Sequence, residues 1–84
     1  MSLYFDDHVT KRMALRKIRR SDVYQVFNSS IKESHIWEDP SEPDVFHIQS
    51  KTVRSPRSDC PLEIVLYKNG VIKTAVWKGE PDPA

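Results

Sequence analysis

The 84 residues correspond to one small domain, because single domains commonly contain roughly 50 to 250 residues, and this length excludes a multidomain enzyme. Leu, Ile, Val and Phe together account for 21 of the residues, more than the ~20% below which a chain is usually disordered. The formal net charge of +1 predicts neither nucleic-acid nor membrane affinity by itself. We therefore expect a folded domain with a thin core.

Charge is distributed unevenly along the chain. Residues 11–20 contain six basic residues and no acidic one, whereas residues 33–44 contain five acidic residues and no Lys or Arg. The first segment predicts a locally basic surface. The acidic, proline-containing stretch 38–44 predicts an irregular loop, which could shield the basic helix or bind a partner.

The single cysteine and the absence of a long apolar run bear on location. Cys60 excludes an internal disulfide framework and is typical of a protein in a reducing cytoplasm. No run approaches the ~18 apolar residues of a membrane span, and no secretory signal is recognisable. We expect a cytoplasmic protein that makes no membrane contact.

Helical periodicity predicts two helices in the first third of the chain. The first begins after a cap at Asp6 or Asp7 and covers about 7–17, with apolar residues at helical spacing: Val9, Met13, Leu15 and Ile18. A second, short helix is expected after a cap at Ser21, and its apolar stripe consists of Val23, Val26 and Phe27.

From Ser30 onward the composition favours extended structure. Four β-rich segments, separated by loops rich in Pro, Asp and Ser, are predicted as strands: 31–37, 45–53, 62–67 and 71–77. The fold class is therefore α+β, with two N-terminal helices packed on a three- or four-stranded antiparallel sheet. Residues 1–84 form one domain with an ordered core of about 6–77 and a flexible tail over 78–84.

Asn69-Gly70 predicts a two-residue hairpin, because a type I′ turn needs φ > 0 at both central residues. That turn pairs Lys68 with Val71 and places one apolar set against the helices. The other sheet face is mixed, which suits either a partly covered sheet or an exposed recognition surface. The predicted core is Val23, Val26, Phe27, Ile64, Leu66, Ala75 and Trp77.

His8, Arg12 and Arg16 recur every four residues, so each is rotated by only about 40° from the previous one around the first helix. The helical projection places the three between Leu15 on one side and Val9 on the other. A solvated charge run would lie opposite the apolar positions. We therefore expect this stripe to border the core or a cleft, with both arginines partly desolvated and Glu63 the nearest carboxylate.

The same segment carries a family resemblance. The pattern His8-Val9-x-x-Arg12-Met13-x-x-Arg16-x-Ile18, followed by Ser21-Asp22-Val23, resembles the opening motif of the domain of unknown function 4258 family. Residues 71–77 are similar to its closing strand, so the resemblance covers about 6–27 and 62–77. The sequence departs from the pattern at Val9, where the family commonly has Ala, and at Lys17, where it commonly has Gly.

The family resembles the BrnT-like and RelE/ParE-like toxins, which implies N-terminal helices on an antiparallel sheet and a toxin of a toxin-antitoxin pair. Toxins of this kind typically cleave messenger RNA on the ribosome, whereas ParE-like relatives poison gyrase without hydrolysis. The activity we expect from the resemblance is metal-independent RNA cleavage, and the implied partners are RNA or the ribosome and an antitoxin protein. His8 would transfer a proton, and Arg12 and Arg16 would hold phosphate oxygens. Three further basic residues would extend the nucleic-acid-binding surface: Lys11, Arg19 and Arg20.

Two alternatives remain open at this point. The stripe has a structural explanation, since arginines beside a sheet often bind carbonyls or carboxylates, and this is the more frequent outcome. The protein as a whole is alternatively a non-catalytic binding module. The spacing of His35, His47 and Cys60 fits no recognised metal site, and the sequence contains no phosphate loop or dinucleotide motif. We therefore expect no metal and no cofactor.

Overall fold

Two helices precede four strands in the computed structural model, which describes residues 2–29 and 32–82. The elements are α1 (Asp7–Leu15), α2 (Arg20–Phe27), β1 (Ser34–Glu38), β2 (Val45–Arg54), β3 (Pro61–Tyr67) and β4 (Ile72–Trp77). The strands form one antiparallel sheet in the order β1-β2-β3-β4. The predicted α+β class, with two N-terminal helices and an antiparallel sheet, is confirmed.

The caps of α1 define its ends. The Asp6 carboxylate accepts a hydrogen bond from the Val9 amide at 2.8 Å, as the cap prediction requires. The helix ends at Leu15, two residues earlier than predicted, because Lys17 adopts a left-handed φ of 59°. The amides of Lys17 and Ile18 then bond back to the Ala14 and Met13 carbonyls at 3.2 and 2.9 Å, which is a Schellman ending.

The start of α2 differs from the prediction. Its N-cap is Arg19 rather than Ser21, and Asp22 lies in the first turn. The Asp22 carboxylate accepts from the Arg19 amide at 3.0 Å and also binds the Arg19 guanidinium. An acidic side chain that reaches back in this way satisfies a free amide and complements the positive end of the helix.

Both helices pack on the same face of the sheet, α1 against β4 and α2 against β2 and β3. Six of the seven predicted core residues are buried, and Phe27 is partly buried at the margin of the core. The helical projection was wrong for Leu15, which was expected on the apolar side of α1 but is 59% exposed. The core instead includes Leu3, Val9, Met13, Ile18, Ile48, Val53, Leu62 and Ile72.

The hairpin lies at the predicted position but has a different turn. Gly70 has φ of 94°, whereas Asn69 does not adopt positive φ, and the Tyr67 amide bonds to the Val71 carbonyl at 2.9 Å. The loop therefore has three residues instead of two, and the predicted Lys68–Val71 pair does not form. A register shift at Lys73 restores the predicted pairing from Val65–Thr74 onward.

The remaining boundaries are as follows. The first predicted strand begins at Ser34, three residues later than expected, and Ile31 lies outside the described residues. After β4, the Glu80 carboxylate binds Ser55, Ser58 and Arg57. Residues 83–84 of the predicted tail are outside the described range.

Among the described residues, 2–29 and 32–82, no helix has the length and apolar character needed to cross a membrane.

Candidate functional site: a basic cleft between α1 and β4

The predicted stripe lines an open cleft of about 240 Å³ between α1 and β4. His8, Arg12 and Arg16 project from successive turns of α1, and Lys73 faces them from β4. The remaining walls are Val9, Thr74 and Ala75. The packing of α1 on β4 therefore adds a fourth basic side chain to the three on the helix. We call this site the basic cleft.

Arg16 is the most constrained residue of the cleft. Its guanidinium Nη1 donates to the Ala75 carbonyl at 3.0 Å and approaches the Thr74 hydroxyl at 3.4 Å. Its Nε and Nη2 bind the two oxygens of Asp82 at 2.9 and 3.2 Å. The side chain is only 12% exposed. The expectation of partial desolvation is confirmed for Arg16, but its carboxylate partner is Asp82 and not Glu63.

The backbone of Arg16 is held as firmly as its side chain. Its carbonyl accepts from the Trp77 indole at 2.7 Å and from Arg57 at 3.0 Å. A carbonyl at the end of a helix has no partner within the helix, so these two donors satisfy it. They also fix the end of α1 relative to β4, which sets the width of the cleft.

Arg12 and His8 are exposed, in contrast to Arg16. Within residues 2–29 and 32–82, neither side chain makes a hydrogen bond or an ion pair, so the expected desolvation of Arg12 is wrong. The exposure of Leu15 explains the difference, because one of the two predicted apolar flanks of the stripe is missing. Both side chains can therefore reach a ligand in the cleft without first breaking a bond.

Lys73 lines the cleft at the point where the register of β4 shifts. Its ammonium group pairs with the Glu42 carboxylate and lies 5.9 Å from the centre of the Tyr67 ring. The pair with Glu42 raises the pKa of Lys73 and lowers the pKa of Glu42. The acidic loop 39–44 thus contacts β4 at the side of the cleft, through Lys73, and among the described residues it forms no ion pair with the basic helix that it was expected to shield.

Asp82 is the second carboxylate at the cleft. Its hydrogen bonds to Arg16 lower its pKa, and the nearby charge of Arg12 lowers the pKa further. Of the three permanent cations of the cleft, Arg16 and Lys73 are paired with carboxylates, whereas Arg12 is free among the described residues.

The other predicted nucleic-acid-binding residues lie outside the cleft. Arg19 is paired with Asp22, and Arg20 lies 4.8 Å above the Phe5 ring and donates to Thr10. Lys11 is exposed on α1 but does not line the cleft. The structure therefore brings together His8, Arg12 and Arg16 and leaves these three residues at its periphery.

A second polar cluster occupies the opposite face of the sheet. The His47 imidazole lies between two carboxylates, with Nε2 2.7 Å from Asp39 and Nδ1 3.3 Å from Glu63. Trp37 stacks on the imidazole with ring centres 4.9 Å apart and planes 10° apart. Glu63 is buried, and among the described residues its other oxygen accepts no hydrogen bond and lies 3.9 Å from the Lys78 ammonium group. We call this the histidine cluster.

The two carboxylates determine the charge of His47. Burial lowers the pKa of this imidazole, but the hydrogen bonds to Asp39 and Glu63 more than offset burial and raise it overall. A neutral imidazole has one N–H and would leave one carboxylate facing a lone pair. The imidazolium form matches both partners, which makes the cluster an anchor for the acidic loop.

No group of three or more His, Cys, Asp or Glu side chains suited to a metal ion occurs among the residues that the structure describes. The histidine cluster contains three such residues. Both ring nitrogens of His47 already face carboxylates, so neither nitrogen is directed at a position for a metal ion.

Sequence reasoning missed Lys73, Asp82 and the histidine cluster. A lone lysine on an otherwise apolar strand face was the available signal for Lys73. Nothing comparable existed for the histidine cluster, because the pairing of His47 with Trp37 depends on the register between β1 and β2. The long irregular connections around β2 leave that register open in the sequence.

An apolar groove of about 230 Å³ lies beside α2 on the helix-bearing face of the sheet. It extends from Phe27 across β2 and β3 to Ile36 of β1, which is 48% exposed. The groove exists because β1 extends beyond the two helices that cover the other strands.

Comparisons with known proteins identify no relative. No protein-family model matches the chain, and neither a curated protein nor a solved structure matches it. The resemblance to the domain of unknown function 4258 family is therefore a hypothesis that rests on the residues quoted above. The function has to be argued from the geometry of the site.

Proposed function

We propose that this protein is a toxin-like endoribonuclease that binds the RNA backbone in the basic cleft. The observation that carries the proposal is the convergence of His8, Arg12 and Arg16 with Lys73 on one open cleft. Arginine forks bind phosphate through two parallel hydrogen bonds, and lysine adds a mobile positive charge. The α+β architecture is compatible with a RelE/ParE-like fold, in which case RNA or the ribosome and an antitoxin protein are the expected partners.

The proposed reaction uses the RNA 2′-hydroxyl as the nucleophile. The hydroxyl loses its proton and attacks the adjacent phosphorus, the bond from phosphorus to the 5′-oxygen breaks, and that oxygen receives a proton. His8 would carry one of the two proton transfers, because an imidazole ring can both accept and donate a proton, and water would carry the other. Arg12 would stabilise the extra negative charge that develops on the phosphate. Arg16 would position the backbone.

The test combines growth and RNA cleavage. Induced expression is expected to arrest growth, and His8→Ala or Arg12→Ala is expected to relieve the arrest and to abolish cleavage of a synthetic RNA. His35→Ala and Lys51→Ala are matched controls, since both residues are exposed and lie outside the basic cleft. Unchanged cleavage by the His8 variant would contradict the role of the imidazole.

A non-catalytic binding module is the second candidate function, and the apolar groove favours it. Exposed apolar surface bordered by polar groups is typical of protein-binding sites. Under this alternative, high-level expression is harmless, the purified protein does not cleave RNA, and the His8 variant behaves as wild type. The growth experiment therefore separates the two candidates.

A further inference from the structure

Two carboxylates pair with cations of the basic cleft, Asp82 with Arg16 and Glu42 with Lys73. We propose that Asp82 and Glu42 mask the cleft, so that RNA must displace them from Arg16 and Lys73 before it binds fully. This inference rests on the proposed function, because it describes how the same cleft is regulated. It assigns an autoinhibitory role to the segment after β4 and to the loop between β1 and β2.

The geometry of the Arg16–Asp82 pair supports displacement of the carboxylate. Both oxygens of Asp82 face the Nε and Nη2 edge of the guanidinium, which is the arrangement that a phosphate group also adopts. Arg16 is 12% exposed and is also bound to the Ala75 carbonyl, whereas Asp82 is 57% exposed. The cation is therefore the fixed member of the pair, and the carboxylate is the member that can leave.

The Lys73–Glu42 pair is accessible from solvent on both sides. The two side chains are 42% and 38% exposed, so a phosphate group can approach the ammonium without rearrangement of the core. Glu42 belongs to a loop that is anchored at Asp39 by His47. Release of Glu42 therefore requires only a side-chain movement while the loop remains attached to the sheet.

The consequence is a change in the charge of the cleft. With both carboxylates in place, Arg12 is the permanent cation of the cleft that has no partner among the described residues, and it is the first cleft contact available to RNA. Displacement of the two carboxylates exposes Arg16 and Lys73 as well. Surface ion pairs are weak enough to be exchanged for a polyanion, so masking lowers affinity without blocking binding.

The experiment measures binding of a labelled, non-cleavable 2′-O-methyl RNA at low salt by fluorescence anisotropy. Asp82→Asn and Glu42→Gln are expected to tighten binding by about threefold each, and the double variant by about tenfold. Asp82→Ala removes both oxygens and is expected to match Asp82→Asn. Glu38→Gln is the matched control, because it makes the same charge change on β1, at the opposite edge of the sheet.

The control separates specific masking from net charge. Equal tightening by Glu38→Gln would overturn the proposal, as would unchanged or weaker binding by Asp82→Asn in a protein with a wild-type circular dichroism spectrum. Inorganic phosphate provides a second readout through the NMR signal of the Arg16 Nε–H group. If phosphate changes the Arg16 chemical shift more in Asp82→Asn than in wild type, but neither protein binds RNA, the masking by Asp82 is supported and the RNA function is overturned. Binding of neither probe to the double variant would overturn both.

Discussion

The imidazole Nε2 of His47 lies 2.7 Å from Oδ2 of Asp39, and this contact joins the acidic loop to the middle of the sheet. His47 comes from β2, where the antiparallel pairing sets it beside Trp37 of β1. Asp39 also accepts hydrogen bonds from the Ser41 and Glu42 amides, at 2.9 and 3.1 Å, so the turn that carries Glu42 is organised around the same carboxylate. The histidine cluster thereby positions the carboxylate that pairs with Lys73 of the basic cleft.

The stability of the protein is expected to depend on the protonation of His47. Its pKa is raised in the folded protein, so its contribution is fully present below the ordinary histidine pKa of ~6.5 and is lost as pH rises through the folded value. The pKa of Asp39 is lowered, mainly by His47, so its contribution is present above ~4 and is lost at lower pH. The histidine cluster should therefore stabilise the fold most between about pH 4 and about pH 6.5.

Urea unfolding of wild type and His47→Gln at several pH values between 6 and 9 tests this expectation. The free-energy difference between the two proteins should shrink as pH rises, because the variant lacks the titrating group. His8 and His35 are present in both proteins, so the comparison isolates His47. A difference that is constant over the whole range would contradict the imidazolium assignment.

Arg16 and Arg12 are expected to differ sharply in their effect on stability. Arg16→Ala removes hydrogen bonds to Ala75 and Asp82 from a mostly buried guanidinium, which should cost roughly 1.5–3 kcal/mol of unfolding free energy. Arg12→Ala changes an exposed side chain and should stay within about 0.5 kcal/mol of wild type. Denaturant melting of both variants gives the comparison. Equal losses would show that the exposed arginine also has a structural role.

Ile64 tests the assignment of the sheet faces. It is fully buried under the helices, so Ile64→Ala should lower the unfolding free energy by about 2–5 kcal/mol. Gln25→Ala on the exposed face of α2 is the control and should change it by less than about 0.5 kcal/mol. A loss at Ile64 as small as that of the control would mean that β3 presents its other face to the helices.

The left-handed backbone conformation of Lys17 is strained, and Lys17→Gly should relieve this strain. A residue with a side chain is disfavoured in this region by about 1–2 kcal/mol, and the greater flexibility of unfolded glycine offsets part of the gain. We expect a net stabilisation of about 0.5–1 kcal/mol by thermal or urea unfolding. Lys11→Gly within α1 is the matched control and should destabilise by about 1 kcal/mol. Destabilisation by both changes would contradict the Schellman ending.

Several elements follow from local sequence because their causes are local. Asp6 caps α1 through a bond to Val9, three residues away, and Leu62, Ile64 and Leu66 of β3 recur at the two-residue period of a strand. The helical period placed His8, Arg12 and Arg16 on one stripe, and the structure shows all three in one cleft. These features depend on contacts between near neighbours or on the repeat of the backbone itself.

Other local details were decided by competition between alternatives of similar energy. Arg19 rather than Ser21 became the cap of α2 because Asp22 could reach back to its amide. The Asn69-Gly70 hairpin adopted a three-residue loop, with Gly70 alone at positive φ, and the shift in register paired Leu66 with Ile72 instead of Lys73. Such choices differ by about 1 kcal/mol, which is within the range that tertiary packing overrides.

The sequence by itself determined the order of helices and strands, the buried face of the last hairpin and the stripe on α1. Only the tertiary structure decided that Asp82 and Glu42 lie on Arg16 and Lys73, and that His47 lies between Asp39 and Glu63. The physical reason is the separation of these partners along the chain. Their contacts form only after the intervening loops close, and the sequence does not define the strand register across those loops. Loop closure depends on the packing of the whole domain rather than on any local pattern.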